Sequence, residues 1–302
     1  MSLSRPIKFP LLKLPLLCIE CVVKSCDFSD IIFLALTSKR TRQIVKYVKP
    51  LIRIRIFLSD TKWIEIGRES CKTDYGFESY TDKNELIALK MAIKFLNKTF
   101  KCLIERVEIR EDNFPESGDI GVKSAVNLCI DHEFVNGQSR ELKLLLENLE
   151  VTGTCIFRRN TENGFYCDPK LFKCKKLVFS SRSVTWVTRE FLMLLEVPRL
   201  IFCDCPFSVE DIVMFVTQWF YSDNSKFEYL HISSQNGQVP LVSFQTDLLN
   251  PLPFNGRNRI PSSGKLFWTG FSAGLELRRN DGLTATIHVK NRLFLFYVWH
   301  NE

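Results

Sequence analysis

The sequence lacks an apolar run long enough to cross a bilayer. Its longest candidates, Leu14–Val23 and Ile31–Leu36, are far shorter than the roughly 20 residues that a helical span needs. Residues 5–23 do mimic a secretion signal, because two lysines precede the apolar stretch. However, Pro15 and Glu20 interrupt that stretch, and no small-residue cleavage site follows it. We therefore expect no membrane segment and an intracellular location, cytoplasmic or nuclear.

A catalytic constellation is also missing. The 4 histidines are isolated from one another in the sequence, and none has a nucleophile motif such as G-x-S-x-G around it. Pro261–Lys265 resembles the end of a phosphate-binding loop, but Arg259 stands at the position of the first glycine and Leu266 replaces the required Ser or Thr. We expect no enzymatic activity, no catalytic residues and no cofactor.

The 11 cysteines are scattered and lie mostly in apolar segments, which favours buried thiols over a disulfide framework. Cys18 and Cys21 have the spacing of a zinc-binding pair but lack a second pair. Cys203 and Cys205 would point to opposite faces of a strand. We expect no metal site.

The positive charge is concentrated at one end of the chain. Residues 1–60 carry 11 Lys and Arg against 4 Asp and Glu, whereas the other residues carry 30 of each. An electrostatic partner should therefore be an acidic surface that meets this region, unless the basic face is only solvated. No interleaved aromatic residues accompany the lysines, so we do not expect nucleic acid as the partner.

The pattern of apolar, capping and proline residues in 9–50 predicts three short helices. Proline is tolerated in an opening helical turn, and Ser, Thr and Asp are typical capping residues. The expected helices run from Leu14 to Lys24, from Ser29 or Asp30 to Leu36, and from Ser38 or Thr41 to Val48.

The first two of these helices are apolar around almost their whole circumference. A helix of this kind must be buried all round, yet three short helices cannot enclose one another so completely. A surplus apolar face should remain, covered either by a partner protein or by later parts of this chain.

The remaining chain predicts a body of strands and helices. Residues 52–56 alternate like a half-exposed strand with a hairpin partner at 63–66, and residues 84–98 have helical spacing. Short apolar segments then recur at intervals of about 20 to 30 residues, as in leucine-rich repeats. They are 107–109, 126–130, 151–157, 177–179, 200–203 and 230–232, with helices expected at 188–195 and 208–221.

The end of the chain predicts an antiparallel meander of three strands, 273–279, 283–289 and 293–299, in which Asp281-Gly282 is a strong turn signal. The expected fold is therefore α+β or α/β: three N-terminal helices, then a solenoid-like strand-helix body that ends in the meander. The expected domains are residues 9–50 and 51–302.

The N-terminal stretch resembles the F-box, a three-helix motif that opens with Leu-Pro and closes with Ser-Lys-Arg. Thr41 stands where the common pattern has Trp, and Cys26 where it has Leu. The matching residues are Leu14-Pro15, Val22-Val23, Asp27, Asp30-Ile31-Ile32, Leu34, Leu36, Ser38-Lys39-Arg40 and Ile44-Val45.

The body resembles the type 2 F-box-associated domain of the F-box families expanded in nematodes. The residues that carry this resemblance are Trp186–Leu192, Arg278 or Arg279 with Asp281-Gly282, Ala285–Ile287 and Phe296–Trp299.

These resemblances imply a substrate receptor of a cullin-RING (SCF-type) ubiquitin ligase, in which the body binds an unidentified target protein. The helices would bind the small acidic adaptor that leads to the cullin. The implied adaptor contacts are Leu14, Pro15, Leu16, Cys18, Ile19, Val22, Ile31 and Ile32. The alternatives are a non-degradative interaction scaffold of the same fold and, more distantly, a nucleic-acid binder.

Overall fold

The computed structural model divides the chain into two compact units. The first comprises residues 1–106 and 120–122, and the second comprises residues 107–119 and 123–302. None of the described helices is both long and apolar enough to span a membrane. The structure describes residues 11–59, 62–67, 75–78, 85–110, 119–131, 139–159, 166–180, 186–234, 237, 239–254 and 274–300.

The first unit opens with a 3-10 turn and three α-helices, which confirms the predicted N-terminal helices. The turn is Leu11–Lys13, and the helices are α1 (Leu16–Ser25), α2 (Phe28–Thr37) and α3 (Lys39–Val48).

The start of α2 differs from the prediction. It begins before Ser29 and Asp30, and the residue that precedes it, Asp27, makes no capping hydrogen bond with its side chain. Phe28 is buried, and its ring centroid lies 5.9 Å from that of Phe100. The first turn of α2 therefore contains a buried aromatic side chain, whereas the sequence predicted that Ser29 or Asp30 would cap the helix there.

The first unit continues with neighbouring strands in the order β4-β1-β2-β3, of which β1, β2 and β3 pair antiparallel, and the predicted hairpin is confirmed. The Nε of Arg55 donates a hydrogen bond to Glu105 at 2.9 Å and its Nη1 donates to Glu65 at 3.3 Å, which ties three neighbouring strands together. The elements are β1 (Leu51–Leu58), β2 (Lys62–Gly67), β3 (Tyr75–Glu78), α4 (Glu85–Thr99) and β4 (Lys101–Arg110), whose last residues belong to the second unit.

The second unit is a mixed α/β structure. Strands β5 to β9 pair in parallel, and β9, β13, β12, β11 and β10 follow with antiparallel pairing. The predicted strands and the meander are confirmed. The elements are β5 (Ser124–Asp131), α5 (Ser139–Asn148), β6 (Glu150–Phe157), β7 (Lys176–Phe179), α6 (Arg189–Leu194), β8 (Arg199–Cys205), α7 (Val209–Tyr221), β9 (Tyr229–Ser234), β10 (Leu252–Pro253), β11 (Leu275–Arg278), β12 (Thr284–Lys290) and β13 (Leu293–Trp299).

A ladder of aromatic rings forms the core of the parallel strands. Phe157, Phe179 and Phe202 occupy matched positions on three neighbouring strands. Their ring centroids are 5.0 and 5.2 Å apart in stacked geometry, and the ring of Trp186 meets Phe179 edge-on at 5.6 Å. Aromatic pairs add to the free energy gained by burying their area, so this ladder stabilises the observed register of the strands.

A buried arginine holds the turn between β11 and β12. Arg279 donates hydrogen bonds to the carbonyl oxygens of Trp219 and Asn224 at 3.4 and 3.0 Å and forms an ion pair with Asp281 at 2.5 Å. Gly282 has a φ of 87°, which an L side chain rarely adopts. The predicted Asp-Gly turn is thus fastened to the carboxyl end of α7.

Candidate partner-binding surface on the N-terminal helices

Helix α1 buries one narrow side. Ile19 and Val23, four residues apart, are its buried members. On another face, Lys24 donates a hydrogen bond of 2.6 Å to Glu20, and this bond raises the pKa of Lys24. Leu17 lies one turn before Glu20 on that same face and is 76% exposed. The large apolar side chain of Leu17 is therefore exposed to solvent on the same face as the Lys24–Glu20 ion pair.

Helix α2 has the same organisation. Its buried residues are Phe28, Ile31 and Ala35, at the spacing of a single helical face. Phe33 is 67% exposed and lies between Ser29 and Thr37, each four residues away along the helix. Leu36 is also exposed. Both helices therefore present apolar side chains that the first unit does not cover.

Helix α3 is held at its start by a reciprocal cap. The Ser38 hydroxyl accepts a hydrogen bond from the backbone N–H of Thr41 at 3.1 Å, and the Thr41 hydroxyl accepts one from the backbone N–H of Ser38 at 3.1 Å. Arg42 donates to the carbonyl oxygen of Ala35 at 2.9 Å, and its guanidinium carbon lies 5.6 Å from the ring centroid of Phe95. These contacts join α3 to α2 and α4.

The outer face of α3 is basic. Lys39 and Arg40 on α3 and Lys49 directly after its end are exposed, and Lys46 on α3 is half-buried. None of the four forms an ion pair with any residue that the structure describes. Their charge is therefore available to an acidic partner within about one Debye length, roughly 8 Å at physiological ionic strength.

The predicted adaptor contacts separate into three groups. Ile19 and Ile31 are buried, the latter completely, so they belong to the core and cannot touch a partner in this conformation. This corrects the assignment of direct contact for these two residues, since each lies on the inward face of its helix. Leu14, Val22 and Ile32 are half-buried, and Pro15, Leu16 and Cys18 are exposed.

Three large apolar residues that are exposed on α1 and α2 were absent from the predicted contacts: Leu17, Phe33 and Leu36. Polar residues on the same helix face could have identified Leu17 and Phe33 as outward-facing. Leu17 shares a face with Glu20 and Lys24, and Phe33 shares one with polar residues one turn away on either side. An apolar residue in the middle of a polar face points outward, however apolar the rest of the helix is.

The structure also locates the residues considered for chemistry. His231 lies in β9, where burial and the charge of Lys176 lower its pKa, and His288 is fully buried in β12. His300 accompanies the end of β13, with its Nε2 2.9 Å from the carbonyl oxygen of Phe227.

The other chemical candidates form no site in the described part of the chain. Cys18 and Cys21 are exposed, whereas Cys205 is buried. The described residues contain no cluster of three or more potential metal ligands. His132 and Pro261–Lys265 lie outside the described residues.

Comparison with known proteins gives one result. No curated protein and no solved structure shows a significant match to the chain. The F-box domain family matches residues 11–53, which contain all three N-terminal helices and the first residues of β1. Residues 11–53 of this chain therefore form an F-box domain.

Proposed function

We propose that this protein is a substrate-receptor subunit of an SCF-type ubiquitin ligase. The F-box at residues 11–53 suggests this role, because F-box proteins are generally adaptors and receptors and not enzymes. The observation that carries the proposal is the set of uncovered apolar side chains on α1 and α2, which lie within the matched segment. An SCF adaptor and, through it, a cullin are the implied partners.

The residues that we propose at the centre of the adaptor contact differ from those predicted from the sequence. We place the exposed Leu17, Phe33 and Leu36 at the contact, beside Leu16 and Cys18. Leu14, Pro15, Val22 and Ile32 remain peripheral members. Burying a leucine or phenylalanine side chain contributes about 1.5–3 kcal/mol, so these side chains would supply a large share of the free energy of binding.

Electrostatic attraction supports the same orientation. An acidic adaptor would be steered toward the α3 cations, which form no ion pair with a described residue, and this steering raises the rate of association more than it lowers the rate of dissociation.

The proposed domain division is an F-box at residues 9–50 and a target-binding body at residues 51–302. We propose that β5 to β9 form a leucine-rich-repeat-like array within a type 2 F-box-associated domain. Two observations support this array: consecutive parallel strands start at residues 124, 150, 176, 199 and 229, and buried side chains stack in register across them.

In this role the chain performs no chemistry itself. A conjugating enzyme recruited by the ligase would transfer ubiquitin, and the receptor would supply proximity between that enzyme and the target.

The test is reconstitution of the full chain with a purified SCF adaptor. Leu17→Glu and Phe33→Glu should each weaken the complex by roughly 100-fold, because a carboxylate in an apolar interface has no partner. Met91→Glu is the matched control, since Met91 lies on α4 of the same unit and is 68% exposed. It should bind like the unchanged chain, with all variants equally folded by circular dichroism.

Retention of the complex by both variants would contradict the proposal, as would equal loss in the Met91→Glu control. A folded chain that forms no adaptor complex at all would favour the interaction scaffold.

A further inference from the structure

Helix α7 of the second unit carries an open apolar groove. Its inner face buries Ile212 and Val216, and its outer face exposes Val213 in part and Met214 at 44%. This outer face, together with Ser243, lines a groove of about 630 Å³. The groove is large enough for several side chains of a bound peptide.

Hydrogen bonds hold both flanks of the groove. The Tyr221 hydroxyl donates to the carbonyl oxygen of Leu248 at 2.7 Å, and the Gln218 amide donates to the carbonyl oxygen of Met193 at 3.1 Å. They connect α7 to the segment after residue 240 and to α6. The groove is therefore preformed, which lowers the entropic cost of binding.

The exposed apolar side chains of the second unit concentrate in the part of the sequence that forms this groove. Apart from Tyr166, every large apolar residue that the described part of the second unit exposes lies between residues 194 and 252. These residues are Leu194, Met214, Tyr221, Val242, Leu248 and Leu252. Met214 and Tyr221 line the groove, Val242 precedes the lining residue Ser243, and Leu248 accepts a hydrogen bond from Tyr221. A contiguous exposed apolar patch is typical of an interaction site, whereas singly scattered exposed residues are not.

The segment of the chain that forms the groove is acidic, although the chain as a whole is positive. Residues 189–254 carry eight Asp and Glu against three Lys and Arg. Two of those cations are engaged: Arg199 pairs with Glu228 at 2.6 Å, and Arg189 lies between Glu190 and Asp211.

One exposed carboxylate, Glu210, lines the groove. Two more lie next to its flanks: Asp223 comes two residues after the lining residue Tyr221, and Asp247 precedes Leu248, whose carbonyl oxygen accepts the Tyr221 hydrogen bond. None of the three forms an ion pair with another described residue.

We infer that the α7 groove binds a basic amphipathic segment of a partner protein, whose apolar face fills the groove while its lysines or arginines meet these carboxylates. Recognition of an amphipathic helix by an apolar groove is an established mode of peptide binding. An anionic membrane is disfavoured as the occupant because the rim would repel it. That this partner is the ubiquitination target rests on the proposed function.

The test uses the full chain with its methionine methyl groups labelled with carbon-13. The probe is a synthetic helical peptide of leucine and lysine, about 14 residues or roughly four turns long. Its counterpart carries glutamate in place of every lysine. The lysine peptide should shift and saturate the Met214 signal while the Met91 signal stays in place, and Met214→Leu assigns the resonance. The glutamate peptide should bind at least roughly tenfold more weakly.

Charge reversal supplies the second measurement. Glu210→Lys should weaken the lysine peptide by roughly tenfold, whereas Glu147→Lys, on the exposed side of α5 in the same unit, should leave its affinity unchanged. Equal binding of both peptides, or an unmoved Met214 signal, would overturn the inference.

Two controls separate this inference from neighbouring hypotheses. Phe33→Glu should lose adaptor binding and keep peptide binding. Glu210→Lys should keep adaptor binding and weaken peptide binding. Because the two readouts are independent, either proposal can fail without the other. Self-association that Met214→Glu abolishes in sedimentation would identify a second copy as the occupant and overturn the inference.

Discussion

Leu17 and Ile31 are both large aliphatic side chains on neighbouring helices of the F-box, and they have opposite roles. Ile31 is completely buried and belongs to the core, whereas Leu17 is exposed. The first therefore contributes to folding, and the proposal assigns the second to binding. Removing each side chain separates the two roles.

Ile31→Ala should lower the free energy of unfolding by about 2–5 kcal/mol, because it removes buried methyl groups and leaves a cavity. Leu17→Ala should change it by less than about 0.5 kcal/mol. Urea denaturation followed by circular dichroism measures both values. A large loss for Leu17→Ala would show that the side chain is covered by its own chain.

The apolar residues around the whole helix gave little directional signal for the buried position of Ile31, whereas the polar neighbours Glu20 and Lys24 do mark the exposed face of Leu17. In the structure, Ile19 and Val23 define the inward face of α1, and the small Ala35 lies on the inward face of α2. Thr41 is a similar case. It departs from the common F-box pattern, and the structure uses it both in the cap with Ser38 and as a buried residue.

At the scale of elements, short apolar segments bounded by turns were sufficient to locate β5 to β9 and the closing meander. Helix α5 was missed, although Leu142, Leu145 and Leu146 have helical spacing and are buried. Outside the hairpin and the meander, a pairing such as that of β13 with β9 could not be predicted, because it joins residues distant in sequence. The turn at Asp281 is an example, because the neighbouring Arg279 bonds to Trp219 and Asn224, 60 and 55 residues earlier in the chain.

Asp281 should stabilise this turn only while it is ionised. The hydrogen bond from Arg279 lowers the pKa of Asp281, so its contribution is present above the ordinary Asp range and is lost as pH falls through the depressed value. Asp281→Asn should therefore destabilise the chain at neutral pH. This difference from the unchanged chain should shrink progressively below about pH 4.

Denaturant titrations at several pH values measure this difference. Asp204→Asn is the control, because Asp204 is exposed and forms no ion pair with a described residue. A stability difference for Asp281→Asn that is independent of pH would contradict the role of the ion pair.

At the scale of the whole molecule, charge is divided along the chain. The basic excess lies in residues 1–60, and the segment around α7 is acidic. This division suits a receptor with two different partners, one acidic and one basic, because each surface repels the partner of the other.

The joint variant Lys39→Glu, Arg40→Glu should slow association with the acidic adaptor by roughly tenfold and change dissociation much less. Surface plasmon resonance at two salt concentrations measures both rates. Lys173→Glu, Lys175→Glu makes the same change of charge in the second unit and should leave the association rate nearly unaltered. Equal slowing by both pairs would mean that net charge, and not the α3 surface, steers binding.

The account depends on coverage of the exposed side of α1 and α2 by another protein, and cysteine alkylation measures that coverage directly. Cys18 and Cys21 are exposed, whereas Cys203, on β8 of the second unit, is partly exposed and serves as the internal reference. We expect both α1 thiols to react rapidly in the free chain and to be protected by a saturating adaptor, while the rate at Cys203 stays constant. Thiols that react equally fast in a demonstrated complex, or that are already unreactive in the free chain, would contradict the account.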